Sequence, residues 1–87
     1  YGGSGMGYLT MGILLEETGR QLTASPLVAS ALVGATALLQ GGSDAQKSAW
    51  LPKIVDGSAI ITLAVDEGPK HAPESLALRA ERTGSGY

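Results

Sequence analysis

The sequence predicts a mainly α-helical unit of three helices followed by a short β segment, and three observations carry that prediction. Apolar residues recur at helical spacing in three stretches before Gly57. Two of those stretches open on helix-start signals, Ser25-Pro26 and Ser43-Asp44-Ala45-Gln46. After Gly57 the period shortens, and Ala59 to Val65 is an apolar, partly β-branched run of strand type. The chain has 87 residues, enough for one small domain. A chain of that size buries only ~60% of its unfolded surface.

Residues 1–7 form an entry loop rich in glycine (Gly2, Gly3, Gly5, Gly7). A first helix is expected over about 7–19, with Met11, Leu14, Leu15 and Thr18 on one face. Glu16 and Glu17 lie to its side, and Gly19 is the stop signal. A second helix is expected over about 26–40. Ser25 is its N-cap and Pro26 its first residue, where a missing N–H costs nothing. Leu27, Val28, Ala31, Leu32, Ala35, Leu38 and Leu39 make a wide apolar face, and Ala29, Ser30, Gly34 and Ala37 a small one. A helix with no charged residue over its whole length is one surrounded on most sides.

Gly41-Gly42 ends that helix. Ser43 and Gln46 then read as a capping box opening a third helix over about 44–55. Pro52 removes one donor and crowds the Ser48 carbonyl, so a break or kink is expected there. Asp56-Gly57 closes the helical unit. Strands are expected at about 59–66 and 75–82, separated by a loop holding Gly68, Pro69 and Pro73. Thr83-Gly84-Ser85-Gly86 is a turn towards a further strand, so the chain reads as a piece of something longer.

Composition excludes several functions. Hydrophobic residues are 44% of the chain, but 12 of them are alanine, there is no Phe and Trp50 is the single tryptophan. A core of Leu, Val, Ile and Ala packs closely around few large anchors. A net charge of −2 leaves no basic footprint for nucleic acid, and the lack of Phe argues against a base-stacking platform. Zero cysteines exclude disulfides, thiolate metal sites and a cysteine nucleophile. The longest apolar-rich stretch, Pro26 to Leu39, is shorter than the ~20 residues of a membrane span. No targeting signal is legible, and a cytoplasmic protein is expected.

Local chemistry discloses no reaction. The opening glycines follow no strand and lack the G-x-G-x-x-G spacing, so a flexible entry loop is the reading. His71 is the single histidine, in a proline-containing loop that fixes ligand geometry poorly, so no metal site is expected. Adjacent helical residues point about 100° apart, so Glu16 and Glu17 do not converge on one atom. A surface ion pair with Arg20 is the expected role, and Lys47 and Lys53 read as solvated charges.

Three stretches together resemble the acyl-CoA dehydrogenase family. Leu14-Leu15-Glu16-Glu17-Thr18-Gly19-Arg20 is similar to the family's L-E-E-L-G-R. Gln46-Lys47, Trp50-Leu51-Pro52 and Gly57 follow the family's Q-K-x-x-W/Y-L-P helix, the most specific of the three. Ile60 to Glu67 resembles the opening strand of its flavin-binding β-domain. The resemblance implies a three-domain flavoenzyme with FAD as cofactor. Residues 1–57 would end its N-terminal helical domain, and 58–87 would hold the first strands of a β-barrel domain.

The resemblance also implies a reaction and partners. Family members oxidise an acyl-CoA thioester to the 2,3-enoyl-CoA in fatty acid metabolism. A glutamate removes the α-proton, the β-hydride goes to the flavin, and hydrogen bonds to the thioester carbonyl stabilise the developing enolate. That glutamate would lie beyond Tyr87, so this stretch alone would not be competent. An electron-transfer flavoprotein and a homo- or hetero-oligomer, a homotetramer in the common case, are the implied partners.

The family's flavin segment, Y/F-A/C-x-T-E-P-x-A-G-S-D, falls on Leu63, Ala64, Val65, Asp66 and Glu67 when placed without a gap. Flavin contacts are expected from Leu63, Ala64, Val65 and Asp66. Ala72 stands where the family has the serine that meets the CoA chain. Asp66 replaces a threonine and Gly68 a proline. An ionised Asp66 accepts hydrogen bonds but donates none. These departures keep a second expectation open: a non-catalytic scaffold subunit of a heteromeric acyl-CoA dehydrogenase assembly.

Overall fold

A computed structural model describes residues 1–86. In chain order it contains α1 (Gly7–Arg20), a π-helical segment (Leu27–Gly34), α2 (Ala35–Gly41) and α3 (Asp44–Val55). Gly34 and Ala35 both hold helical dihedrals, so the π-helical segment and α2 form one continuous second helix. That helix packs against both α1 and α3.

The start and stop signals act locally, with some displacement. Ser25 Oγ accepts the Leu27 N–H at 3.2 Å, and the Pro26 carbonyl accepts the Ser30 N–H at 2.8 Å. The second helix thus starts as its sequence suggests, but its first eight residues wind as a π-helix rather than an α-helix. The wider winding falls on the stretch where Ser30 and Gly34 meet the chain that follows α3. Ser43 and Gln46 form the reciprocal capping box: Gln46 N–H donates to Ser43 Oγ at 3.3 Å, and Ser43 N–H to Gln46 Oε1 at 2.8 Å.

Pro52 lies inside α3, which keeps its expected end at Val55. The Pro52 carbonyl accepts the Asp56 N–H at 3.0 Å. Pro52 removes a single intrahelical bond close to the helix end, and the buried Leu51 before it is gripped by the other helices. Gly57, at φ +77°, then supplies the left-handed turn that α3 needs.

Leu51 and Ser30, each 5% exposed, are the buried apolar and polar side chains of the unit. Around them Met11, Leu15, Leu27, Leu38 and Ile54 are half-buried. Trp50 remains 42% exposed, with the Lys53 ammonium 4.7 Å from its ring centroid, a cation–π contact where the sequence suggested a free charge. Arg20 pairs with Glu16 at 3.0 Å and Glu17 at 3.5 Å on the solvated face of α1.

The strands expected at about 59–66 and 75–82 do not form among the described residues. The chain there has no ladder, and the one β-bridge joins Thr83 to Gly86. A strand exists only when its backbone groups find a neighbour, and within this chain neither run finds one. Leu76 and Leu78 accordingly stay exposed.

The end of α1 differs from expectation in a way that can be tested. Gly19 stays inside the helix, and the left-handed position falls on Leu22, at φ +49°. Leu22 N–H donates to the Gly19 carbonyl at 3.1 Å and Thr23 N–H to the Thr18 carbonyl at 3.0 Å, a Schellman pair with leucine at the glycine position. Leu22 is 91% exposed, so it gains no burial for its strain. Leu22→Gly is therefore expected to stabilise the fold by about 1 kcal/mol, read as a higher denaturant midpoint at unchanged slope.

Candidate functional site

The segment after α3 lies along the second helix, because that helix offers it one acceptor and one gap. The acceptor is Ser30 Oγ, which takes the Ile61 N–H at 3.1 Å. The gap is Gly34: a Cβ built there would stand 2.8 Å from the Ile61 carbonyl oxygen, so only glycine lets this backbone approach. Both features belong to the small face of the uncharged helix. The structure covers that face with a peptide.

Of the four residues expected to face flavin, Leu63 is separated from the rest. It closes an open apolar hollow of about 410 Å³ with Tyr8, Leu32, Val33, Thr36 and Ala37. Across that hollow the Tyr8 hydroxyl and Thr36 Oγ1 are hydrogen-bonded at 3.0 Å. A second apolar hollow, about 510 Å³, lies between the entry loop and all three helices, with Met11, Leu14, Leu27, Leu51 and Ile54 on its walls. Val65 is half-buried and Ala64 exposed.

Asp66 and Ala72 are brought together. The Ala72 N–H donates to the Asp66 carboxylate at 3.1 Å, and His71 Nδ1 lies 3.1 Å from the same carboxylate. That contact is an ion pair when the ring is protonated and a hydrogen bond when Nδ1 carries the proton. His71, read from sequence as a solvated loop residue, is thus half of a loop-closing pair. The only advance sign was its place five residues after an aspartate. The shallow hollow of about 360 Å³ beside this loop, lined by Glu67, Lys70 and Ala72 among others, is open to solvent.

Among the described residues, the N–H groups of Ala64 and Val65 meet no acceptor within the chain, so both are free to donate to a bound group. The Asp66 side chain does not fit the donor role, since its carboxylate accepts from Ala72. The segment thus offers two backbone donors, while the Asp66 side chain offers none.

Two further carboxylates organise the same region. Glu67 accepts the Ala77 N–H at 2.9 Å and the Leu78 N–H at 2.7 Å. Those amides hold its carboxyl below the ordinary glutamate range, Ala77 foremost. Ser58, through its hydroxyl and its backbone N–H, lowers the Asp56 carboxyl in the same way.

Comparison with known proteins gives one family. Residues 1–58 match the profile described as "Acyl-CoA dehydrogenase, N-terminal domain". The whole chain is similar to isovaleryl-CoA dehydrogenase, mitochondrial, of Pongo abelii, at 37% identity over 91 aligned positions and 21% of that protein's length. It is 35% identical to acyl-CoA dehydrogenase FadE27 of Mycobacterium tuberculosis, over 99% of this chain and 22% of that one. It is 33% identical to cyclohex-1-ene-1-carbonyl-CoA dehydrogenase of Geobacter metallireducens, over all of this chain and 24% of that one. The chain therefore spans about a fifth of the length of these relatives. No solved structure gives a significant match.

The Glu67 tie makes a pH prediction. Its carboxyl is lowered by folding, so the tie is complete above the ordinary glutamate value of 4.5 and is lost as pH falls through the lower folded value. Amide chemical shifts at Ala77 and Leu78 should change in that acidic window. Glu67→Gln should abolish the transition, and a transition that persists in the variant would assign it to another group.

Proposed function

The chain belongs to the acyl-CoA dehydrogenase family, and from that premise we propose that it joins the helical and β domains of an FAD-dependent acyl-CoA dehydrogenase. The observation that carries this reading is the similarity of the entire chain, in unbroken order, to relatives of that activity. Residues 1–57 end the N-terminal domain and 58–87 begin the β-domain, where the runs 59–66 and 75–82 pair with strands supplied by the rest of the protein. FAD supplies the hydride acceptor when bound. The Ala64 and Val65 amides donate to it, Leu63 and Asp66 flank them, and Ala72 lies on the CoA side.

The catalytic glutamate belongs to the part of the protein outside this stretch. The substrate is an acyl-CoA thioester, and the names of two relatives point first to short branched and cyclic acyl groups. Electrons pass to an electron-transfer flavoprotein, and the assembly is a homotetramer or a hetero-oligomer with the cytoplasm as its expected compartment.

One observation favours a second reading. Asp66 turns into its own loop, bonded to Ala72 and beside His71, rather than offering a donor outward. A scaffold subunit that has lost part of the flavin site would tolerate such a loop. Flavin absorbance of the full-length protein, and its bleaching by isovaleryl-CoA, separates the two readings. Bound flavin that is reduced supports the enzyme; a well-folded oligomer without flavin sinks it in favour of the scaffold. If the enzyme reading holds, Asp66→Thr removes a negative charge and restores a donor hydroxyl, so the flavin's reduction potential is expected to rise. A charge-assisted hydrogen bond is worth ~1.5–3 kcal/mol, and an unchanged potential would remove Asp66 from the flavin's surroundings.

A further inference from the structure

The segment after α3 runs along the second helix. Ala59 and Ile60 share a hollow with Pro26 and Leu27, the Ile61 backbone meets Ser30 and Gly34, and Leu63 shares a hollow with Val33 and Ala37. Among the described residues, the Ser30–Ile61 bond is the one side-chain hydrogen bond along that line.

Ser30 is suited to hold the line. Its own N–H donates to the Pro26 carbonyl, and its carbonyl accepts from the Ala35 N–H, so its backbone is engaged within the helix and its buried hydroxyl oxygen is left for Ile61. Gly34 completes the seat by letting the Ile61 carbonyl come down against the helix. A slip of one residue would place a different amide at Ser30 and carry the Ile61 carbonyl away from Gly34.

We propose that Ser30 and Gly34 are positioning residues that hold Ile61 in a single register and thereby present the Ala64 and Val65 amides to the flavin. The second half of this inference rests on the flavoenzyme reading of Leu63 to Asp66. Neither residue touches the cofactor. Their effect passes through the backbone from Ile61 to Ala64 and Val65.

The test uses the full-length protein and two measurements. The first is amide exchange from Ile61 to Val65 in protein stripped of flavin. Loss of one buried hydrogen bond in Ser30→Ala should speed exchange there about five- to tenfold, and Ser30→Thr, which keeps the acceptor oxygen, should restore the parent's rates. The second is titration with FAD, where Ser30→Ala should weaken binding by a similar factor and Ser30→Thr should not. Gly34→Ala should act in the same direction as Ser30→Ala in both measurements.

Unchanged exchange at Ile61 in Ser30→Ala would overturn the register lock. Faster exchange with unaltered FAD affinity would overturn its link to the cofactor. A parent protein that never takes up FAD would sink the flavoenzyme reading and that link with it, while the exchange measurement still decides the lock.

Discussion

The peptide of Ile61 lies against the second helix with its N–H on Ser30 and its carbonyl over Gly34, and most of the arrangement follows from that contact. It joins the chain leaving α3 to the helix that both other helices pack on. Its physical basis is simple. A buried backbone N–H must find an acceptor, and a backbone carbonyl can approach a helix closely only where no Cβ intervenes. Serine and glycine four residues apart meet both needs on one face. Larger apolar residues would have filled the face and left the amide of Ile61 unpaired.

Beyond that contact the ordering agent changes. The helical unit is held by packing around Leu51 and by backbone bonds within helices. The stretch from Gly57 onward is held by carboxylates accepting backbone amides. Asp56 takes Ser58, Asp66 takes Ala72, and Glu67 takes Ala77 and Leu78. Each of these bonds is solvated, so each is weak. A region ordered in this way is ready to give up its local bonds when neighbouring strands are present.

For a flavoenzyme the division has a consequence. Backbone donors at Ala64 and Val65 survive any change of side chain, whereas the family's donor hydroxyl does not survive the replacement by Asp66. The loop bond from Asp66 to Ala72 joins two of the departures from the family's pattern.

The sequence by itself determined what depends on neighbours in the chain. The capping box at Ser43 and Gln46, the start at Ser25 and the ion pairs of Arg20 were legible because each is closed within a few residues. The family resemblance was legible for a similar reason, in the short run from Gln46 to Gly57. The tertiary structure alone decided what depends on residues distant in sequence. It set the π-winding of Leu27–Gly34 and the partnership of Ser30 with Ile61 thirty-one residues away. It also decided that the two strand-like runs stay unpaired among the described residues, because a strand's hydrogen bonds belong to its neighbour, and periodicity records only the inclination to form them.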